Sequence, residues 1–171
     1  MLNDQESGED ALRRWIDLYQ TQMLRMSYIL LGDLHLAEDA VQETFLKAYQ
    51  ARRKLRDPNS EKAWLMTIAA NICRGYHRTW WGKHVDRRVP LEQTPVGQSL
   101  FPEEESILHL EVERLPYRQR EVVLLYYYQG MNMYEIAKAL HISQSTVSDN
   151  LDKAQRQLKL IWEDNTHELS T

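Results

Sequence analysis

The chain has 171 residues, 43% of them hydrophobic, enough for one medium core or two small ones. Its single cysteine, Cys73, excludes an internal disulfide and a Cys-rich zinc site, implies no metal and points to a reducing cytoplasm. The formal net charge of −4 argues on average against nucleic acid, but the charge is segregated: residues 1–51 carry four Lys/Arg and nine Asp/Glu, residues 52–88 ten and three, and residues 89–171 seven and thirteen.

The first 88 residues read as three helices. Leu12, Ile16 and Tyr19 recur at helical spacing, then Val41, Phe45 and Ala48, then Trp64, Ile68 and Ile72. On the second helix Val41, Phe45 and Ala48 face a core, while Asp39, Gln42, Glu43 and Leu46 recur at i, i+3, i+4, i+7 on another side. An ordinary solvated face would explain the acids, but an exposed Leu46 ringed by acidic and amide groups suits a partner surface. On the third helix Trp64, Leu65, Ile68, Ala69, Ile72, Cys73 and Tyr76 are expected to be buried, with Thr67, Asn71, Arg74 and Arg78 forming a polar stripe. Ahead of it, Lys54, Arg56 and Lys62 flank the loop Asp57-Pro58-Asn59-Ser60, and Trp80 and Trp81 at its end could stack on bases but are expected in the core, where aromatic residues at a helix end more often lie. The longest apolar stretches, such as Ile29-Leu30-Leu31, fall far short of the roughly 18 residues that span a bilayer, and the acidic start MLNDQESGED is unlike a signal peptide. A soluble cytoplasmic protein is expected.

Pro90, Pro95, Gly97 and Pro102 crowd into VPLEQTPVGQSLFP, which reads as a linker. The expected fold is all-α, with two small helical domains at 8–86 and 103–165 joined by residues 87–102. In the second domain Leu108, Val112 and Leu115 make one apolar face, and Val122, Leu125 and Tyr126 another. Asn132 is a plausible N-cap three residues before Glu135, opening a helix through Ile136, Ala137 and Leu140. His141 then occupies a turn position that needs a positive φ, and Ser143 caps a helix running from Gln144 to about Leu158. Ile136, Leu140, Ile142, Val147 and Leu151 share one core, leaving Gln144, Ser145, Thr146, Asp149, Asn150 and Lys153 on the other side. This is a helix-turn-helix layout, in which the second helix presents its early residues to a major groove. No phosphate-binding glycine loop or nucleophile motif occurs, and His35, His77, His84, His109, His141 and His167 form no ligand pattern, so neither an enzyme nor a cofactor is expected.

From Leu115-Pro116 to Leu158 the chain resembles region 4 of bacterial sigma factors, on Arg120, Val123, Leu125, Tyr127, Gly130, Glu135-Ile136-Ala137, Leu140, Ile142-Ser143, Thr146-Val147, Leu151 and Ala154. Gly32-Asp33 followed by Ala37 to Phe45 resembles the region 2 helix that grips polymerase, and Leu55 to Lys83 resembles the regions that melt and read the minus-ten element, on Trp64-Leu65, Ile68-Ala69 and Asn71. Three motifs in one order indicate the extracytoplasmic-function group of sigma factors, over about residues 8–160. An ordinary helix-turn-helix regulator would leave the N-terminal basic block without a role.

The resemblance implies a non-enzymatic subunit that binds core RNA polymerase, through its β and β′ subunits, and promoter DNA. Polymerase contacts would fall to Asp39, Gln42, Glu43 and Leu46. Minus-ten contacts would fall to Lys54, Arg56, Asn59, Ser60, Lys62, Thr67, Asn71, Arg74 and Arg78, with the Asp57–Ser60 loop holding a flipped-out base. Minus-thirty-five contacts would fall to Gln144, Ser145, Thr146, Asn150 and Lys153. It further implies control by an anti-sigma protein, one whose membrane anchor would hold the factor at the inner face, in a stress or envelope response. The chain departs from the family pattern at Thr67 and Ala70, where Arg is frequent, at Gly75, where an acid is usual, and at Asp149, Asn150 and Asp152, where basic or small residues are usual.

Overall fold

The computed structural model describes residues 6–81, 100–101 and 103–168, and every regular element among them is helical. They fall into two compact units divided between Leu100 and Phe101. Most of the expected linker 87–102, and the side chains of Trp80 and Trp81, lie outside the described residues. Of that linker Leu100 and Phe101 are described, and both are buried.

The first unit packs three helices against one another: α1 (Gly8–Leu31), α2 (Leu34–Gln50) and α3 (Glu61–Trp81). Ser7 caps α1 by accepting from the Asp10 amide at 3.1 Å. Gly32 ends the helix at φ 67°, where its N–H donates to the Tyr28 carbonyl at 2.7 Å, a left-handed conformation that glycine adopts without a Cβ clash. Asp33 then accepts from the Leu36 amide at 2.9 Å and opens α2. Two residues thus suffice to reverse the chain. Ala37, Ala40 and Ala48 are fully buried, and with only a methyl each they let α2 lie close to its neighbours, beside buried Val41 and Phe45.

The buried face of α1 differs from the stripe expected on periodicity. Leu12, Ile16 and Tyr19 are half-buried, whereas Trp15, Met23, Met26 and the run Ser27–Leu31 are buried. The helix packs on both α2 and α3, so its last turns are covered on more than one side. The same reason puts Met66 and Ala70 of α3 in the core while Trp64, Ile68 and Tyr76 are only partly covered. Trp15 and Trp64 meet in a tilted aromatic pair at 5.8 Å.

The second unit consists of α4 (Glu103–Glu113), α5 (Tyr117–Val123) continued by a π turn over Leu124–Tyr128, α6 (Met133–Leu140) and α7 (Gln144–Glu168). Gly130, at φ 69°, carries the chain out of the π turn. The capping box at α6 is present in both directions: Asn132 Oδ1 accepts from the Glu135 amide and Glu135 Oε2 accepts from the Asn132 amide, each at 2.8 Å. Ser143 Oγ accepts from the Thr146 amide at 3.1 Å and starts α7, which runs past the expected end at Leu158 to Glu168. Ile136, Leu140, Val147 and Leu151 are buried as one core, with Ile142 half-buried at its edge.

His141 has φ 55° and is exposed, the one non-glycine residue with positive φ among those described. For an L-residue this conformation costs roughly 1–2 kcal/mol, partly offset in glycine by its greater freedom in the unfolded chain. His141→Gly is therefore expected to stabilise the second unit by about 0.5 kcal/mol, seen as a higher urea midpoint of the full chain. A lower midpoint would mean that the imidazole makes a contact worth more than the strain.

Candidate functional site

On α2 the residues expected to meet a partner divide into two groups. Asp39, Gln42 and Leu46 are exposed, Leu46 by 58%. Glu43 instead leans toward α3, where its carboxylate accepts a hydrogen bond from the Tyr76 hydroxyl and pairs with Lys47 at 3.0 Å. The Tyr76 hydrogen bond, then that of Lys47, holds the Glu43 carboxyl below the ordinary carboxylate range. Burial, and then the adjacent Glu43 carboxylate, pushes the Tyr76 phenol up.

Of the basic block, Lys54 and Arg56 are exposed and Lys62 is half-buried. The segment expected to be a loop is a single 3₁₀ turn, Pro58–Ser60. Asp57 secures it from inside, accepting from the Asn59 amide at 3.0 Å and from the Ser60 hydroxyl at 3.4 Å, so that Asn59 and Ser60 are held at the surface. Glu61 follows at once and is buried. It accepts from Arg14 Nη1 at 2.8 Å, from the Trp15 indole at 2.7 Å and from the Tyr19 hydroxyl at 2.9 Å, tying the start of α3 to α1. Burial opposes its ionisation, but these donors outweigh burial and hold the carboxyl below its ordinary pKa. The carboxylate in turn raises the Arg14 guanidinium, and burial first, then Glu61, raises the Tyr19 phenol.

Along α3, Thr67, Asn71 and Arg74 are half-buried and Arg78 is exposed. The Thr67 hydroxyl donates to the Ala63 carbonyl at 2.7 Å. Asn71 borders a cleft of about 340 Å³ between α2 and α3, with Glu43 and Lys47 on one wall and Ile68, Ile72, Gly75 and Tyr76 on the other. The fold therefore brings Glu43 and Asn71, expected to serve different partners, to the same cleft. Glu61, Tyr76 and Lys47 were not among the expected site residues. The partners of Glu61 lie 42 to 47 positions away, and helical periodicity carries no signal over that separation.

On α7, Gln144, Ser145 and Lys153 are exposed and Thr146 and Asn150 half-buried. The Ser143 hydroxyl lies 3.0 Å from that of Ser145 and 2.8 Å from that of Thr146, and the Asn150 amide donates to the Thr146 carbonyl at 2.8 Å. Asp149, Asp152 and Arg156 are exposed on the same helix. No helix among the described residues is long and apolar enough to cross a membrane.

Residues 15–82 match the family Sigma-70 region 2, and residues 106–158 match Sigma-70, region 4. A probable RNA polymerase sigma factor, RfaY of Xanthomonas campestris, is 29% identical over 86% of the chain, which spans 39% of that relative's length. The ECF RNA polymerase sigma factor SigM of Bacillus subtilis is 30% identical, over 85% of this chain and 91% of SigM. Among solved structures, the sigma factor RpoE of Bartonella quintana, in complex with the anti-sigma factor NepR, matches with a TM-score of 0.69 at 19% identity, over 90% of this chain and 97% of RpoE.

Proposed function

The chain belongs to the ECF group of RNA polymerase sigma factors, which are transcription initiation factors and not enzymes, and from that premise we propose how its residues divide the work of directing core polymerase to a promoter. The exposed face of α2, with Asp39, Gln42 and Leu46, binds core polymerase at its β and β′ subunits, and Glu43 supports that face from the side. Lys54, Arg56 and Lys62 around the turn bearing Asn59 and Ser60, with the α3 stripe of Thr67, Asn71, Arg74 and Arg78, hold the opened minus-ten strand. Gln144, Ser145, Thr146, Asn150 and Lys153 on α7 dock the minus-thirty-five element. Residues 8–86 and 103–165 would act as separate domains joined by 87–102, so that two weak contacts reinforce each other through the tether. Control by an anti-sigma protein, in the cytoplasm or at the inner membrane face if that protein is anchored there, follows by analogy with the complex of RpoE and NepR.

The observation that carries this reading is the α3 stripe beside an internally pinned turn, in the one segment of the chain that is strongly basic. On α7, by contrast, exposed Asp149 and Asp152 repel phosphates, and Lys153 and Arg156 offset only part of that charge. The minus-ten contacts should therefore carry the larger share of discrimination. Asn71→Ala is expected to relax base preference at the minus-ten element, at a cost of roughly 1–3 kcal/mol if the amide pairs with a base edge in two places. Arg74→Ala or Arg78→Ala should weaken binding across all sequences and flatten its salt dependence, as loss of a phosphate contact does. Run-off transcription by reconstituted holoenzyme, on promoters randomised at each element, reads both effects. Absence of any initiation by the wild-type chain would overturn the function. An unchanged minus-ten preference in Asn71→Ala would overturn the division of labour.

A further inference from the structure

We infer that the cleft between α2 and α3 is a second receptor for an unstacked nucleobase of the opened promoter strand, separate from the turn at Asp57–Ser60. This rests on the minus-ten reading above and extends it from the α3 stripe to Ile72, Gly75 and Tyr76 and to Glu43 and Lys47 of α2. At about 340 Å³ the cleft is at the lower end of the range of small-ligand sites, roughly 300–1,000 Å³. Its walls suit a flat ring with two apolar faces and a polar edge. Ile68 and Ile72 provide apolar surface, and Tyr76 an aromatic one. The Asn71 amide offers both donors and an acceptor to a base edge.

The charges around the cleft also suit nucleic acid. Glu43 would repel a phosphate, but its carboxylate accepts from Tyr76 and is paired with Lys47, whose side chain is 55% exposed, so the pair presents little net charge to a backbone. Gly75 lines the cleft, and a Cβ built there meets nothing within 4 Å, so the space beside it is open. Asn71 belongs both to the cleft and to the stripe of Thr67, Arg74 and Arg78. A strand following that stripe therefore passes the mouth of the cleft. Leu46, the apolar centre of the polymerase face, does not line it.

The test uses holoenzyme reconstituted with the full chain, on promoter duplexes in which each non-template position of the minus-ten region is replaced in turn by an abasic site or by 2-aminopurine. For wild type, removing one base, at a position other than the one affected by Asn59→Ala, should weaken the open complex at least about five-fold, and 2-aminopurine at that position should report an unstacked base. Gly75→Leu fills the cleft from a position with free space. It should cost the same factor on the intact promoter, cost nothing further on the promoter abasic at that position, and abolish the 2-aminopurine signal. An equal cost on every template would assign the cleft to a polymerase contact and overturn the inference, as would no cost at all. Should Gly75→Leu alter the circular dichroism or melting of the free chain, Asn71→Ala decides instead. Its loss of preference must fall at that same position, and a loss at the Asn59-sensitive position overturns the inference. If wild-type holoenzyme fails to initiate, the sigma reading falls together with the cleft; if it initiates and only the cleft variants behave as wild type, the cleft alone falls.

Discussion

Glu61→Ala is expected to destabilise the first unit by about 3 kcal/mol. Glu61 is 6% exposed, and its carboxylate takes three hydrogen bonds from α1. Trp15 is 2% exposed, so its indole N–H would lose its partner where water cannot replace it, a cost of about 1–3 kcal/mol. The Tyr19 hydroxyl loses a charged acceptor in a half-buried place. Arg14 contributes less, because its side chain is 37% exposed and keeps Glu6 at 3.0 and 3.2 Å. Glu61→Gln keeps one oxygen to accept from the Trp15 indole, while its NH2 takes the place of the oxygen that accepts from Tyr19 and Arg14 and can only donate to the Tyr19 hydroxyl, so it should cost about half as much.

The same carboxylate sets an acid limit on stability. The folded-state pKa values of Glu61 and Glu43 lie below their ordinary value of 4.5, so below that pH the unfolded chain binds more protons than the folded one. Their contribution is complete above about pH 4.5 and is lost as pH falls through the lower folded values. Melting curves from pH 7 to pH 3 should therefore show a falling midpoint below about 4.5, and Glu61→Gln should flatten part of that fall. An alanine variant with the wild-type midpoint at neutral pH would show the network to be worth nothing.

The double variant Asp39→Lys with Leu46→Ala is expected to weaken binding to core polymerase about 30-fold, the size of a hot-spot contribution of about 2 kcal/mol, while the free chain melts as wild type does. Both side chains are exposed and Asp39 makes no contact that its removal would orphan, so the loss falls on the complex alone. Glu43→Lys is a different experiment. It removes the partner of Tyr76 and turns an attraction to Lys47 into repulsion, so part of any lost affinity would be lost stability. Titrating core polymerase into labelled protein at two salt concentrations separates these cases. Unchanged affinity for the Asp39/Leu46 variant would take the polymerase contact off this face.

Those contrasts mark where sequence and structure each had the information. Local features were legible in the chain itself. The capping box of Asn132 and Glu135, the cap at Ser143 and the positive φ at His141 all depend on residues within a few positions of one another, and each is present as expected. The same is true of the all-helical class and of the family motifs, which are runs of neighbouring residues at fixed spacing. The buried side of α1 was less legible, because periodicity assumes a single covered stripe and this helix has two neighbours.

The tertiary structure alone decided the contacts between helices. Asp39, Gln42, Glu43 and Leu46 form one stripe by spacing, yet the approach of α3 draws Glu43 out of it and into a cleft with Asn71. Glu61 reads as one more charge in a basic segment until α1 brings Arg14, Trp15 and Tyr19 onto it. A helical repeat fixes which residues share a face of their own helix. It does not fix the rotation of one helix against another, because that is set by the packing of side chains far apart in sequence, and in this protein that rotation decides which polar residues are free for a partner and which are used within the fold.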